Sequence, residues 1–197
     1  MYDIPTSVSV GEQSYHIRCN GDFRMVLDCF LALEDKELTK EEKICTAMII
    51  FYDGMEDIED LAQFSDIKEA YTQMCNFFNC GQPENIGVQT HYKSIDWETD
   101  AQLVCSAVNK VAGKEIRAES FVHWWTFMGY FMAIGNSSLA TVISIRGKIA
   151  KGKKLEKWER EFKRDNPRYF SFNPRQTAQA EQDAEELFKQ LWNVKED

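Results

Sequence analysis

The sequence predicts a mainly α-helical fold, a multi-helix bundle of about six to eight helices with a small N-terminal β-hairpin at residues 7–18. Three observations carry this. Apolar residues recur at spacings of three, four and seven through most of the chain, the signature of helices with one buried stripe. Partial alternation is confined to SVSVGEQSYHIR, which breaks at Gly11 as a hairpin does. The run FVHWWTFMGYFMAIG, residues 121–135, is apolar over most of a helical circumference and has to be covered on several sides. With 197 residues, 44% hydrophobic and 28% charged, the chain can bury a sizeable core, which argues against disorder of the whole.

A lone hairpin is marginal in water, so residues 7–18 are expected to pack on helices. Helix one follows from Phe23, Val26, Leu27, Phe30, Leu31 and Leu33, with Asn20 or Asp22 as its cap and an end near Asp35. Thr39 followed by Glu42 is a capping-box pattern, and Ile44, Met48, Ile49, Phe51 and Tyr52 give helix two its buried stripe, with Gly54 as the stop. The carboxylates Asp53, Glu56, Asp57, Glu59 and Asp60 are placed to complement the N-terminal dipole of helix three, which runs to about Asn79 through Leu61, Phe64, Ile67, Tyr71, Met74, Phe77 and Phe78. Cys80, Gly81 and Pro83 end it, and residues 82–95 form a loop.

Helical spacing resumes over 96–112 through Trp97, Ala101, Val104, Val108 and Val111, with Gly113 as the stop. The aromatic helix is expected from about Ala118, with Phe121, Trp124, Trp125, Met128, Phe131 and Met132 on the stripe and Phe127 off it. Ser137 or Ser138 caps a further helix through Val142, Ile143 and Ile145. The segment KKLEKWEREFKRDNPRYF sets Leu155, Trp158 and Phe162 at helical spacing until Pro167. From Pro174 to about Val194 a terminal helix carries Ala180, Ala184, Leu187, Phe188, Leu191 and Trp192 on one side. The organisation is thus a helical domain over 1–170 and a C-terminal extension over 171–197, expected to be helical.

The net charge of −9 is uneven: residues 1–145 carry −12, residues 146–168 carry +6 and residues 169–197 carry −3. An acidic body therefore bears a basic segment, whose candidate partner-binding side chains are Lys151, Lys153, Lys154, Lys157, Arg160, Lys163 and Arg164. Interleaved with Trp158, Phe162 and Tyr169, these could neutralise phosphates and stack on bases. Glu156, Glu159, Glu161 and Asp165 would face the same phosphates, which favours a solvated amphipathic helix, or one meeting an acidic protein, over nucleic-acid binding.

No segment has the length and apolarity of a membrane span, and no basic-then-apolar leader opens the sequence, so a cytoplasmic protein is expected. Cys19, Cys29, Cys45, Cys75, Cys80 and Cys105 are then reduced, mostly buried thiols. Cys75 and Cys80 lack a second pair or a nearby histidine for zinc, and the acidic cluster lacks the ligand order of a calcium loop. No catalytic residues, metal or cofactor are assigned. There is no HExxH, phosphate loop or nucleophile elbow. His16, His91 and His123 are far apart in sequence; His123, with Cys105 as a conceivable partner, lacks an orienting third group and is better read as a core or interface histidine bonded to backbone. The residues singled out as partner-binding or scaffold are His123, Trp124, Trp125, Phe127 and Phe131.

At SFVHWWTF the sequence resembles the bacteriophage gene-product-fifteen family of long-tailed phages and prophages. YHIRCNGDFRMVLDCF, EEKICTAMIIFYDG, NFFNCG, YKSIDWETDAQLVCSAV and ISIRGKIA agree with it in order and spacing, so the resemblance spans residues 10–165. Gly129 and Tyr130 depart from the more aliphatic or basic stretch expected there, and the chain continues past the resemblance. The resemblance implies a non-enzymatic tail assembly chaperone that binds the tape measure protein and recruits the major tail protein in the host cytoplasm, without staying in the mature virion. Self-association stays open. The alternatives are a structural or tail-completion protein of the virion, and a small helical nucleic-acid-binding or regulatory protein.

Overall fold

A computed structural model describes residues 3–82 and 94–171. Among these residues the protein is mainly α, with seven α-helices and one two-stranded antiparallel hairpin. They form two compact units: residues 3–82 with 119–129, and residues 94–118 with 130–171. The expected loop over 82–95, including His91, and the expected terminal helix over 174–194 lie essentially outside the described residues.

In the first unit β1 (Ser7–Val10) pairs with β2 (Gln13–His16), Val10 opposite Gln13, around a turn at Gly11 whose φ of 59° suits glycine. As expected, the hairpin lies on helices. β1 packs on α3 (Ile67–Phe78), and the Gly11 N–H donates to Glu69 Oε2 at 2.8 Å. α1 (Phe23–Glu34) is capped by Asp22, whose Oδ1 accepts from the Arg24 N–H, and it packs along α2 (Lys40–Phe51). The Thr39–Glu42 capping box forms in full: Thr39 Oγ1 accepts from the Glu42 N–H, and Glu42 Oε2 accepts from the Thr39 N–H. Phe51, Tyr52, Met48, Met74 and Phe77 are buried with Trp124 and Phe127.

The acidic cluster does not cap helix three. Asp60 Oδ2 instead accepts from the N–H groups of Glu56 and Asp57, closing a local turn before a 3₁₀ turn at Glu59–Gln63, and Asp66 caps α3. Short Asp side chains reach their own neighbouring backbone more readily than a helix end further along the chain.

α5 (Trp124–Met132) starts six residues later than its apolar run suggests. Residue 123 forms a β-bridge with Asp22, and the N–H groups of Phe23 and Val122 are taken by the Val122 carbonyl and Asp22 Oδ2, so the stretch before Trp124 is held extended. The buried stripe also differs from the expected one. Phe127, expected off it, is fully buried, whereas Phe121 is 44% and Met132 77% exposed.

In the second unit α4 (Ala101–Ala112), α6 (Ser138–Ala150) and α7 (Lys157–Asp165) are the helices, with α4 against α6. Gly113 ends α4 at φ 69°, and Ser137 Oγ caps α6 through the Ala140 N–H. α4 begins at Ala101 rather than Asp96, because Asp96 and Asp100 fold the preceding residues into a turn.

Candidate functional site

In HWW each side chain closes the end of a helix. The Trp125 N–H donates to His123 Nδ1 at 3.1 Å, so His123 is an N-terminal cap of α5. That bond leaves Nδ1 without a proton and puts it on Nε2, which donates to the Pro5 carbonyl at 2.9 Å. Burial of the ring, 1% exposed, lowers its pKa from the ordinary value, against the opposing pull of the Pro5 carbonyl and Asp22.

Trp124 Nε1 donates to the Phe78 carbonyl at 2.9 Å and Trp125 Nε1 to the Phe77 carbonyl at 3.0 Å. These carbonyls belong to the last turn of α3: the Phe77 carbonyl also accepts the Cys80 N–H at 3.0 Å, whereas the Trp124 indole gives the Phe78 carbonyl a donor at a helix end where intrahelical ones run out. Around them Phe127 stacks on Phe23 at a centroid distance of 4.8 Å, and Phe30 meets Trp124 edge-on at 5.7 Å.

Asp22 fixes this arrangement. Its carboxylate takes the Val122 N–H, the Arg24 N–H and the Arg24 guanidinium, and Arg24 Nη2 donates onward to the Glu119 carbonyl. Gly21, at φ 78°, lies so close that an added Cβ would sit 2.7 Å from Phe77 and 3.0 Å from His123. Gly81, at φ 68°, brings its backbone against Trp125. A few residues earlier, the Arg18 guanidinium donates to the carbonyls of Ile49, Ile50, Tyr52 and Met55, closing the C-terminal end of α2.

Of the singled-out residues, His123, Trp124, Trp125 and Phe127 are therefore brought together as scaffold in the first unit. Phe131 is half-buried beside Trp97 in the second, at 5.8 Å between centroids. Cys105 belongs to the second unit, and burial raises its thiol pKa, keeping it protonated. Among the described residues no group of His, Cys, Asp and Glu is placed to hold a metal ion, and no helix is long and apolar enough to cross a membrane.

The seven cations Lys151, Lys153, Lys154, Lys157, Arg160, Lys163 and Arg164 are all exposed. α7, however, turns a different face inward than its apolar spacing suggests: Trp158 is 54% exposed, while Glu159 is 1% exposed. Glu159 Oε1 accepts from Lys148 Nζ at 2.6 Å and Oε2 from the Glu156 N–H at 2.8 Å, which lowers its pKa. Arg146, which opens the basic segment in sequence, is not part of that surface. It is 1% exposed, and its guanidinium bonds both oxygens of the buried Asp100 and the carbonyls of Ser94 and Tyr169. Sequence reasoning passed over Gly21, Asp100 and Arg146 and took Asp22 only as a candidate helix cap; the one signal for Arg146 is a cation set inside the mostly apolar run VISIRGKIA.

A family model described as bacteriophage Gp15 protein matches residues 1–170. The chain belongs to this family. Comparison with curated proteins and with solved structures returns no match. The motifs on which the Gp15 resemblance rested now have physical contents. YHIRCNGDF supplies Arg18, Gly21 and Asp22; NFFNCG supplies the capped carbonyls and Gly81; HWW supplies the caps. In the second unit, Asp100 of DWETDAQ and Arg146 of ISIRGKIA form the buried pair. In this chain those motifs thus set helix ends and a buried ion pair.

Proposed function

We propose that this Gp15-family protein serves phage tail morphogenesis as a non-enzymatic assembly chaperone. It holds the tape measure protein, helps recruit the major tail protein in the host cytoplasm, and is left behind when the virion is complete. The coarse part, a phage structural or head–tail related protein, follows from the family match. That match over residues 1–170, a span containing all the co-linear motifs, is the observation that carries the reading.

The surface supports the finer part. HWW is consumed by the scaffold, which moves the candidate client contacts to side chains left in water, among them Trp158 and the cations around it. An aggregation-prone helical client is kept apart by covering its apolar stripe, and charged side chains around the contact steer it and keep the complex reversible.

Coexpression with tape measure segments is the test. The segments are expected to stay soluble and to co-purify with the chain, and mass spectrometry of purified particles is expected to find none of it. Insoluble segments with no co-purification would end the chaperone reading, and stoichiometric presence in particles would make the protein a virion subunit.

A further inference from the structure

We propose that the exposed face of α7 docks an acidic amphipathic helix of a partner protein, with an apolar side chain of that helix on Trp158 and its carboxylates on Lys157, Arg160 and Arg164. The partner's role in tail assembly rests on the chaperone reading, whereas the face itself stands on the geometry of α7.

Lys157, Arg160 and Arg164 fall at spacings of three and four and share one side of α7, with Trp158 next to them. All four are exposed, Trp158 by 54%. A large indole left in water beside cations is the composition of a protein-interface anchor, since aromatic and arginine side chains dominate such contacts. The charge of this side is set by where the helix spends its carboxylates. Glu159 is turned into the unit and neutralised by Lys148, so one of the anions that would offset the cations never reaches the surface, and the Arg164–Asp165 pair at 2.9 Å is a solvent-exposed contact that a partner carboxylate can exchange with.

The same geometry favours a protein over nucleic acid. Glu156, Glu161 and Asp165 remain exposed among the cations, so the closely and evenly spaced phosphates of a nucleic acid meet local repulsion. A partner helix has separate carboxylates that pair with the cations, and it can set a lysine against Glu161. The match is by charge: a basic, aromatic helix side on an otherwise acidic chain selects an acidic, apolar-striped helix.

The probe is a synthetic helix of about twenty residues with glutamates opposite a Leu/Phe stripe, titrated calorimetrically into the full-length protein. A sequence-scrambled peptide and a thymidine oligonucleotide serve as controls. Binding is expected for the striped peptide and not for its scramble, weaker at higher salt, and reduced about tenfold or more in W158A and in K157E/R160E/R164E. Circular dichroism of both variants is expected to be unchanged, because every altered side chain is exposed. Four results would overturn the proposal: peptide binding undiminished in both variants, tighter binding of the oligonucleotide, peptide binding seen only after residues 172–197 are deleted, or a wild-type dimer that the variants abolish. The last two would assign the face to the chain's own terminal segment or to a second copy. Failure here while tape measure segments still co-purify sinks only the α7 face; peptide binding without co-purification sinks the chaperone reading instead.

Discussion

Replacing Trp124 by phenylalanine separates a scaffold tryptophan from a ligand-binding one. The indole is 1% exposed, and its Nε1–H is the donor to the Phe78 carbonyl at the end of α3. Phenylalanine keeps most of the apolar contact with Phe30 and Phe127 but takes the donor away, leaving a buried carbonyl short of a partner. An unsatisfied buried group costs about 1–3 kcal/mol, and the smaller ring leaves a void that adds a further fraction. Trp124→Phe is therefore expected to cost about 2–3 kcal/mol. Trp124→Ala, which also removes the ring, should cost about 4–5 kcal/mol, a large part of the total stability of an ordinary domain. Urea unfolding followed by far-ultraviolet circular dichroism measures both without relying on the fluorophore being changed. Trp158→Phe is the control and is expected to stay within about 0.5 kcal/mol of wild type, as exposed substitutions do. A Trp124→Phe variant as stable as the Trp158→Phe control would refute the capping argument.

The buried ion pair of the second unit makes a second prediction: Arg146→Met strands the Asp100 carboxylate and should cost about 3–5 kcal/mol, whereas Arg146→Met with Asp100→Leu should cost less than the single change. Urea midpoints of the two variants check it, and a double variant less stable than the single one would contradict it. The third concerns pH. The His123 pKa is lowered by burial, so the unfolded chain, with an ordinary pKa near 6.5, holds more protons than the folded one as pH falls through that value. Stability should accordingly rise with pH across this region and fall away below it. Protonating Nδ1 would also set a donor against the Trp125 N–H, adding to the loss. His123→Gln should flatten this part of the stability–pH curve, measured by thermal unfolding between about pH 5 and 7. The carboxylates with lowered pKa, Glu115 near 2 among them, act only at lower pH.

What could be read from sequence was what the chain decides locally. Thr39 with Glu42, Ser137 and Gly113 each need only residues within four positions, and each appears in the structure as its pattern implies. The start of α5 was not legible, because the side chain that holds residues 122–123 extended is Asp22, a hundred residues away. The buried face of the shorter helix also differs from the spacing-based one, with Phe127 buried and Met132 exposed. The inward face of α7 was likewise set from outside the segment: apolar spacing favoured Trp158, but the half-buried Lys148 on α6 offered Glu159 a partner. Arg146 counted as one more cation of a basic segment until Asp100, 46 residues earlier, proved to be its counter-ion. Of the candidate site, the aromatic cluster was recognisable as a unit, but its role lay in the carbonyls of Phe77 and Phe78, which no spacing within the motif encodes.

Hydrogen exchange of the indole Nε1–H protons, resolved residue by residue in a nitrogen-15 correlation spectrum, tests most directly whether HWW is scaffold and the accessible aromatic lies on α7. The protons of Trp124 and Trp125 should be strongly protected, Trp124 opening only with unfolding, while that of Trp158 exchanges at once. Rapid exchange at Trp124 and Trp125 alongside a protected Trp158 would contradict the account.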